Sequence, residues 1–330
     1  MKLAIIILNW NGEKLLEQFL PSVISHSKEA VIYVADNAST DESVDYIKTH
    51  FPTVKIIQNS ENGGFAKGYN DALQYIDAEI FCLLNNDVEV TQNWLTPVLD
   101  TFQKESNTAI IQPKILDYKR KDYFEYAGAA GGFIDKYGYP YCRGRVFNTL
   151  EKDEGQYNDV TEIFWASGAC LFIRKNVFEE LNGFDESFFA HMEEIDLCWR
   201  TKNINYNIKY IGASTIFHVG GATLSNSNPK KTFLNFRNSL FVLTKNLPKG
   251  RLYLILFARL ILDGIAGLNF LFTGKFIHIL SIIKAHFSFY KYLPKLLKQR
   301  KLLKQQNKYY KTTSIVWSYF VLNKKLFNRL

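Results

Sequence analysis

Over its first ninety positions the chain alternates between two hydrophobic rhythms. Residues 3–8 form an unbroken apolar run, and Leu15, Leu16, Phe19, Leu20, Val23 and Ile24 then recur at helical spacing, with Pro21 marking a kink or restart. Residues 31–35 read as a second strand. Ser39 followed by Glu42 spells a capping box that would open the next helix, which Val44 and Ile47 support. Residues 54–57 read as a third strand, Phe65, Tyr69, Leu73 and Ile76 stripe a third helix, and residues 80–84 form a fourth strand. Apolar strands separated by amphipathic helices predict an α/β fold whose mostly parallel sheet is covered on both faces.

The rhythm breaks between residues 117 and 160, where Gly, Tyr and charged residues predict irregular structure shaping a cleft, with short antiparallel strands. Residues 162–173 resume as a strand, 178–181 as a short helix closed by Asn182-Gly183, 193–202 as a helix and 207–211 as a strand. From Pro229 onward the pattern becomes one of long apolar and basic helices. A boundary is therefore expected near residue 228, and no internal repeat is visible.

Charge sharpens that division. Residues 1–227 carry 20 Lys and Arg against 31 Asp and Glu, whereas residues 228–330 carry 20 against the single acid Asp263, so net charges of −11 and +19 sit on one chain. The basic part should face an anionic partner. At 330 residues and 47% hydrophobic, the chain can bury one full domain and a smaller one. Its four cysteines show neither C-x-x-C spacing nor a secreted framework, which predicts reduced thiols in a cytosolic protein. The opening apolar run is too short for a signal peptide and reads as a buried strand.

Four constellations carry possible chemistry. Phe81–Val90 ends an apolar strand in Asn85-Asn86-Asp87, and open α/β sheets place ligands above such strand tips. Asp36 ends the second strand; Ser39 supplies the following cap, which leaves Asp36 for a nucleobase N–H or ribose hydroxyl, while Asp41 is equally a plain cap. Gly63-Gly64 with Lys67 opens a helix whose N-terminus would suit a nucleotide's negative charge, although the same pattern is that of an ordinary loop. Glu193, Glu194 and Asp196 repel one another beside apolar neighbours, which raises carboxylate pKa values as a general base requires; acids at a helix start also suit its macrodipole. Asp87 with His218 would leave positions for diphosphate oxygens around Mg²⁺ or Mn²⁺, and no His/Cys spacing suits zinc.

The runs ILNWNG, VADNASTDES, NSENGGFAKGYNDAL, LLNNDVEV, SGACLFIRKNVFEELNGFDESFFAHMEEIDLCWR and FHVGG follow in order through residues 1–227. On them the chain resembles a family-2 inverting glycosyltransferase of the GT-A fold, nearest the bacterial rhamnosyltransferase-like branch. The resemblance implies a catalytic domain over 1–227, with Asn9, Asn11, Asp36, Gly64, Lys67 and Asn86 around the nucleotide. It implies Asp87 as the metal aspartate, His218 as a further metal ligand, and Glu194 as the base, supported by Glu193 and Asp196. Here the D-x-D element keeps only its last carboxylate, and the family's Glu-Asp pair is Glu193-Glu194, one methylene longer. A dTDP- or UDP-sugar donor and a lipid-linked glycan acceptor follow as expectations.

Leu252–Phe272 has near-spanning length but holds Arg259 and Asp263 at i,i+4, and residues 276–289 are too short to cross. Both stretches are expected to lie in an anionic membrane interface on the cytoplasmic face of the inner membrane, the alternative being helices packed on the catalytic body. Nucleic-acid binding is not expected. Two rival functions remain at this level. A nucleotidyltransferase of the same fold would need a basic loop after the first strand, which Asn9-Trp10-Asn11-Gly12 does not provide. A non-catalytic glycan- or membrane-binding protein would not need Asp87, Glu194 and His218 together.

Overall fold

The computed structural model describes residues 1–220 and 228–330; Gly221, the last residue of the FHVGG run, lies outside them. Strands β1 (Leu3–Asn9), β2 (Ala30–Asp36), β3 (Lys55–Gln58) and β4 (Ile80–Asn85) are linked by helices α1 (Glu13–His26), α2 (Ser43–His50) and α3 (Gly64–Leu73). β1 and β4 are buried along nearly their whole length, because helices cover both faces of the sheet. α1 continues through Pro21; Glu17, whose carbonyl loses its amide partner there, faces water, as does Pro21 itself.

The chain continues through β5 (Val88–Val90), α4 (Thr96–Lys104) and β6 (Thr108–Asp117). A small antiparallel sheet follows, of β7 (Gly132–Ile134), β8 (Pro140–Cys142), β9 (Arg145–Val146) and β10 (Thr149–Leu150). Next come β11 (Val160–Glu162), β12 (Cys170–Arg174), α5 (Lys175–Glu180), α6 (Glu193–Asn203) and β13 (Asn207–His218). The main sheet has the order β11-β13-β6-β12-β4-β1-β2-β3, with β5 paired to β13. The β1–β2–β3 and β1–β4 pairs are parallel, and β12 is antiparallel to its neighbours β4 and β6. Register sets Asn9 beside Asp36 and Leu8 beside Asn85, so three strands end at one level.

Three local expectations change. The run read as one strand over 162–173 divides into β11 and β12, because Ser167 turns aside: its amide donates to Gln112 Oε1 at 2.8 Å and its hydroxyl to the Ala127 carbonyl. The strand read over 207–211 extends to His218 through a bulge between Ile211 and Thr215. The capping box does not form. Glu42 makes no side-chain cap to α2, whereas Asp41 accepts from the amides of Ser43 (3.2 Å) and Glu13 (3.1 Å), joining the starts of α1 and α2. Ser39 instead accepts from the Asn11 amide at 2.9 Å.

The C-terminal part comprises α7 (Pro229–Asn246), α8 (Leu252–Phe272), α9 (Phe276–Leu302) and α10 (Ile315–Phe320). Among the described residues, these helices pack against the body of the fold. One hydrophobic core holds Ala4 and Ile6 together with Leu240, Leu252, Ile255, Phe289, Leu296 and Ile315. Tyr309 stacks on Trp199 of α6 at 4.9 Å, and the Ile315 amide donates to Asp135 at 2.9 Å. α9 runs for 27 residues through Pro294 and does not stop near residue 289. α8 turns Arg259 and Asp263 inward as a 3.0 Å pair, with His286 of α9 at 3.1 Å from the same carboxylate. Its other face carries Tyr253, Leu254, Phe257, Ile261 and Ile265, all more than half exposed.

Candidate active site

The strand tips form one connected polar cluster. Asn9 donates to Asp36 at 3.4 Å and to Ser39 Oγ at 3.3 Å, and accepts from Asn86 at 3.0 Å. Asp36 also accepts from the Ser39 amide at 3.0 Å. A Cβ on Gly12 would lie 2.3 Å from Asn9 Oδ1 and 2.4 Å from Asn86 Nδ2, so this close approach admits only glycine. Asn11 has a positive φ of 50° and spends its carbonyl oxygen on the Thr40 amide at 2.7 Å. The sequence-predicted Asn9, Asn11, Asp36 and Asn86 are thus brought together.

Gly64 and Lys67 are arranged differently from the expected anion site. The Phe65 amide at the start of α3 donates to the Phe189 carbonyl at 2.8 Å, and Ala66 reaches the same oxygen at 3.4 Å. Lys67 is paired with Asp71 at 2.5 Å and Glu61 at 3.6 Å. With its first amides and its lysine engaged, this helix start has little left to offer a phosphate. Gly64, at φ +80°, is needed for contact with Phe189: a Cβ there would lie 2.5 Å from the Phe189 carbonyl.

Pairing of β5 with β13 sets His218 opposite Val88 and therefore beside Asp87. His218 Nε2 lies 3.1 Å from Asp87 Oδ1, and Nδ1 lies 3.4 Å from Glu125 Oε2, with all three side chains buried. Burial alone would lower the imidazole's pKa, but the two carboxylates outweigh it and push it up to about 10. Among the described residues no three His, Cys, Asp or Glu side chains form a metal-holding set. Asp87 and His218 fit a divalent ion that takes its remaining ligands from substrate oxygens and water.

Glu193 and Glu194 open α6 after a backbone run in which Phe189, His191 and Met192 all have positive φ (65°, 68° and 74°). Each carboxylate has one buried oxygen, Oε2, with no hydrogen-bond partner among the described residues. Burial pushes the Glu194 carboxyl up to about 7, and burial together with the neighbouring Glu194 raises Glu193 as well. The charges of both Glu125 and Glu194 reach the buried Cys142 thiol and add to the effect of burial in raising it. Arg145 lies there too, its guanidinium 4.4 Å over Tyr126 and its Nε unpartnered among the described residues.

Asp196 is not a spare base. It is fully buried and clamped by Arg200 (2.7 Å), Lys245 (2.8 Å) and Asn246 (2.8 Å). Lys245 also binds Asp185 at 2.7 Å, so α7 is fastened to α6 and to the loop before it. Next to this clamp, Asn238 Nδ2 donates to the carbonyls of Phe188 (3.0 Å), Ala190 (2.9 Å) and His191 (2.7 Å). Glu125, Arg145 and Asn238 went unnoticed in the sequence. Each sits in an unpatterned or apolar-basic stretch, and its partner lies on a remote segment.

The chain is similar to known proteins over much of its length. A relative from Haloferax volcanii, the low-salt glycan biosynthesis hexosyltransferase Agl10, is 27% identical over 241 residues, covering 72% of this chain and 73% of its own. An N-acetylglucosaminyl-diphospho-decaprenol L-rhamnosyltransferase from Mycobacterium tuberculosis is 23% identical over 235 residues, covering 66% of this chain and 75% of its own. Among solved structures, GalNAc-T7 with UDP, GalNAc and Mn²⁺ superposes with a TM-score of 0.58 at 17% identity, over 76% of this chain and 48% of that one. The mannosyltransferase PcManGT from Pyrobaculum calidifontis, with GDP-Man and Mn²⁺, gives 0.52 at 14% identity over 91% and 84%. These likenesses establish the GT-A fold. The model of glycosyl transferase family 2 matches residues 4–181, more than half of the chain, and the chain therefore belongs to that family.

Proposed function

We propose that this glycosyltransferase is metal-dependent and inverting, and that it moves rhamnose or a related hexose from a dTDP- or UDP-sugar to a hydroxyl of a lipid-linked, surface-polysaccharide precursor glycan. The observation that carries the reading is the buried Asp87–His218 pair at the strand tips together with α6 carboxylates whose buried oxygens have no partner among the described residues. Asp36 and Asn9 supply acceptors and donors for the nucleoside at the strand tips. Asp87 and His218 would hold Mn²⁺ or Mg²⁺, which supplies charge neutralisation for the departing diphosphate. Glu194, ionised above its raised pKa, takes the proton from the acceptor hydroxyl as that oxygen attacks the sugar C1 from the face opposite the diphosphate. A single displacement inverts the anomeric centre.

The decaprenol-linked acceptor in the name of the Mycobacterium tuberculosis relative supports a lipid-borne acceptor, as does the exposed apolar face of α8 and α9. Lys249–Phe272 is long and apolar enough to cross a membrane, with mean hydropathy 1.8, and only 17% of its most apolar window is buried inside the protein. With Arg259 and Asp263 turned inward, we read this pair of helices as seated in the cytoplasmic leaflet of the inner membrane, its basic residues against anionic headgroups.

The test is donor hydrolysis by purified protein across a panel of nucleotide sugars with Mn²⁺, in the wild type and in Glu194→Gln. One nucleotide sugar should be hydrolysed well above the others, and the variant should bind it without turnover. Absence of hydrolysis and transfer with every donor would refute the assignment.

A further inference from the structure

Arg143 and Arg145 flank Gly144 in the turn from β8 to β9, and only the first has a counter-charge. Arg143 pairs with Asp159 at 2.5 Å. Arg145 is 8% exposed and forms no ion pair among the described residues; its Nε has no hydrogen-bond partner there, and its Nη2 donates to Cys142 Sγ at 3.6 Å. The nearby Glu125 carboxylate is committed elsewhere, to the Ala127 amide at 2.5 Å and to His218 at 3.4 Å. Burying a charge without a counter-ion is costly, so this guanidinium is held for an anion that the chain itself does not supply.

Contacts place the cation beside the catalytic groups. Its guanidinium lies 4.4 Å from the ring of Tyr126, a residue 41% exposed, and so stands one side chain from solvent. Tyr126 follows Glu125 and precedes Ala127, whose carbonyl accepts the Ser167 hydroxyl. The adjacent Ala166 amide donates to Cys198 Sγ at 3.4 Å, and Cys198 lies one turn after Glu194 on the same face of α6. Residues 166 and 167 therefore seat the start of α6 and the Tyr126 loop side by side. Farther along the same segment, the Ala169 carbonyl accepts the Asn85 amide at 3.0 Å at the strand tips. One hydrogen-bonded segment thus joins the neighbour of Arg145, the helix of the proposed base and the strand that leads to Asp87.

We infer that Arg145 binds an anionic group of the acceptor, a phosphate close to the sugar whose hydroxyl Glu194 deprotonates. The donor's diphosphate, the other anion of the reaction, is provided for by Asp87, His218 and a divalent ion. Arg145 lies instead beside the helix of the base, where the acceptor must come. A guanidinium forks onto two phosphate oxygens, which fixes the orientation of an acceptor as well as its charge. The inference rests on the proposed lipid-linked acceptor and adds the residue that recognises its charged part.

The experiment is calorimetry on the full-length protein in detergent, its donor site saturated with a nucleoside diphosphate and Mn²⁺, titrated with farnesyl phosphate or with farnesol. The wild type should bind the phosphate more tightly than the alcohol. Arg145→Met should weaken farnesyl phosphate about tenfold, equivalent to roughly 1.4 kcal/mol, and leave farnesol and nucleotide affinity unchanged. Arg145→Lys should recover part of the loss, because an ammonium keeps the charge and gives up the fork. Relieved of an unpaired buried charge, ligand-free Arg145→Met should melt no lower than the wild type. Equal farnesyl phosphate affinity in wild type and Arg145→Met, a matching loss with farnesol, or weaker nucleotide binding in the variant would overturn the proposal. A variant that melts lower or fails to fold would mark Arg145 as a structural residue and overturn it too. Nucleotide binding is measured first in the wild type, so failure of the glycosyltransferase reading shows there and failure of the Arg145 assignment only in the second titration.

Discussion

Asn238 offers the most informative single perturbation. Its amide donates to three carbonyls of the left-handed run ahead of α6, and its own oxygen accepts from Arg237 Nε at 2.8 Å. In Asn238→Ala the Phe188 carbonyl keeps Arg237 Nη2 at 2.9 Å, whereas the carbonyls of Ala190 and His191 lose the amide that binds them. Each buried acceptor left without a donor costs roughly 1–3 kcal/mol, and because two protons serve three acceptors we expect about 2–4 kcal/mol in total. For a chain of 330 residues that corresponds to a fall in Tm of about 3–6 °C. The larger effect should fall on catalysis. Released from Asn238, residues with φ between 65° and 74° relax toward ordinary conformations, and Glu193 and Glu194 move with them. A displacement near 1 Å costs about 10²-fold in rate. Calorimetry should show donor binding nearly unchanged while kcat falls by that factor, with Asn238→Asp worse than Ala because a carboxylate repels the three carbonyls. Wild-type kcat and Tm in Asn238→Ala would refute the argument that α7 sets the geometry of the catalytic loop.

Glu194→Gln should lower kcat by about 10²–10⁴-fold with donor affinity retained. Since the general base must be ionised, the wild-type rate should rise with pH through about 7, as an apparent value of the Glu193–Glu194 pair, and the variant's residual rate should lack that limb. Lys245→Met leaves Asp185 and Asp196 buried without their ammonium and should destabilise by about 3–5 kcal/mol in denaturant titrations at pH 7. Burial would raise the Asp185 carboxyl, but Lys245 holds it well below its usual range. Its stabilisation is therefore full above the unfolded value near 4 and fades as pH falls through the depressed folded value, so the variant's penalty should shrink in acid. Asp87→Asn and His218→Ala should each weaken Mn²⁺-dependent nucleoside diphosphate binding in calorimetry, and normal binding in both would place the metal elsewhere. Anionic vesicles should bind the full chain, with salt releasing only part, since each basic residue near the surface contributes on the order of 1 kcal/mol that salt screens.

The sheet was legible because parallel strands buried on both faces leave continuous apolar runs, as residues 3–8 and 80–84 do. Asp36, Asn9 and Asp87 followed from it, since strand register alone brings tips together. Glu125 was not legible: it meets His218 only through the bend that follows β6, 93 positions earlier in the chain. The part Asp196 plays was not legible, because three acids opening a helix look alike in sequence whether they face a substrate or, as Asp196 does, Arg200 and Lys245. The i,i+4 spacing of Arg259 and Asp263 was visible, but not the inward turn that joins them to His286. The composition shift at residue 228 marks where polarity changes, while the contacts of the later helices with the α/β body leave no local pattern in the sequence.

The single core that runs from Ala4 to Ile315 bears on how this enzyme can be taken apart or recombined. A chain ended near residue 250 would not release a free catalytic body; it would strip Leu252, Ile255, Phe289 and Leu296 from that body's interior and unfold it. A hybrid joined at 228 to a foreign tail would lose Lys245 beneath Asp185 and Asp196, and with it the partner that α6 requires. The C-terminal helices are therefore not a cassette that can be exchanged behind a constant transferase. A substitution in α7 is tolerated only if it stays matched to the segment that α7 grips.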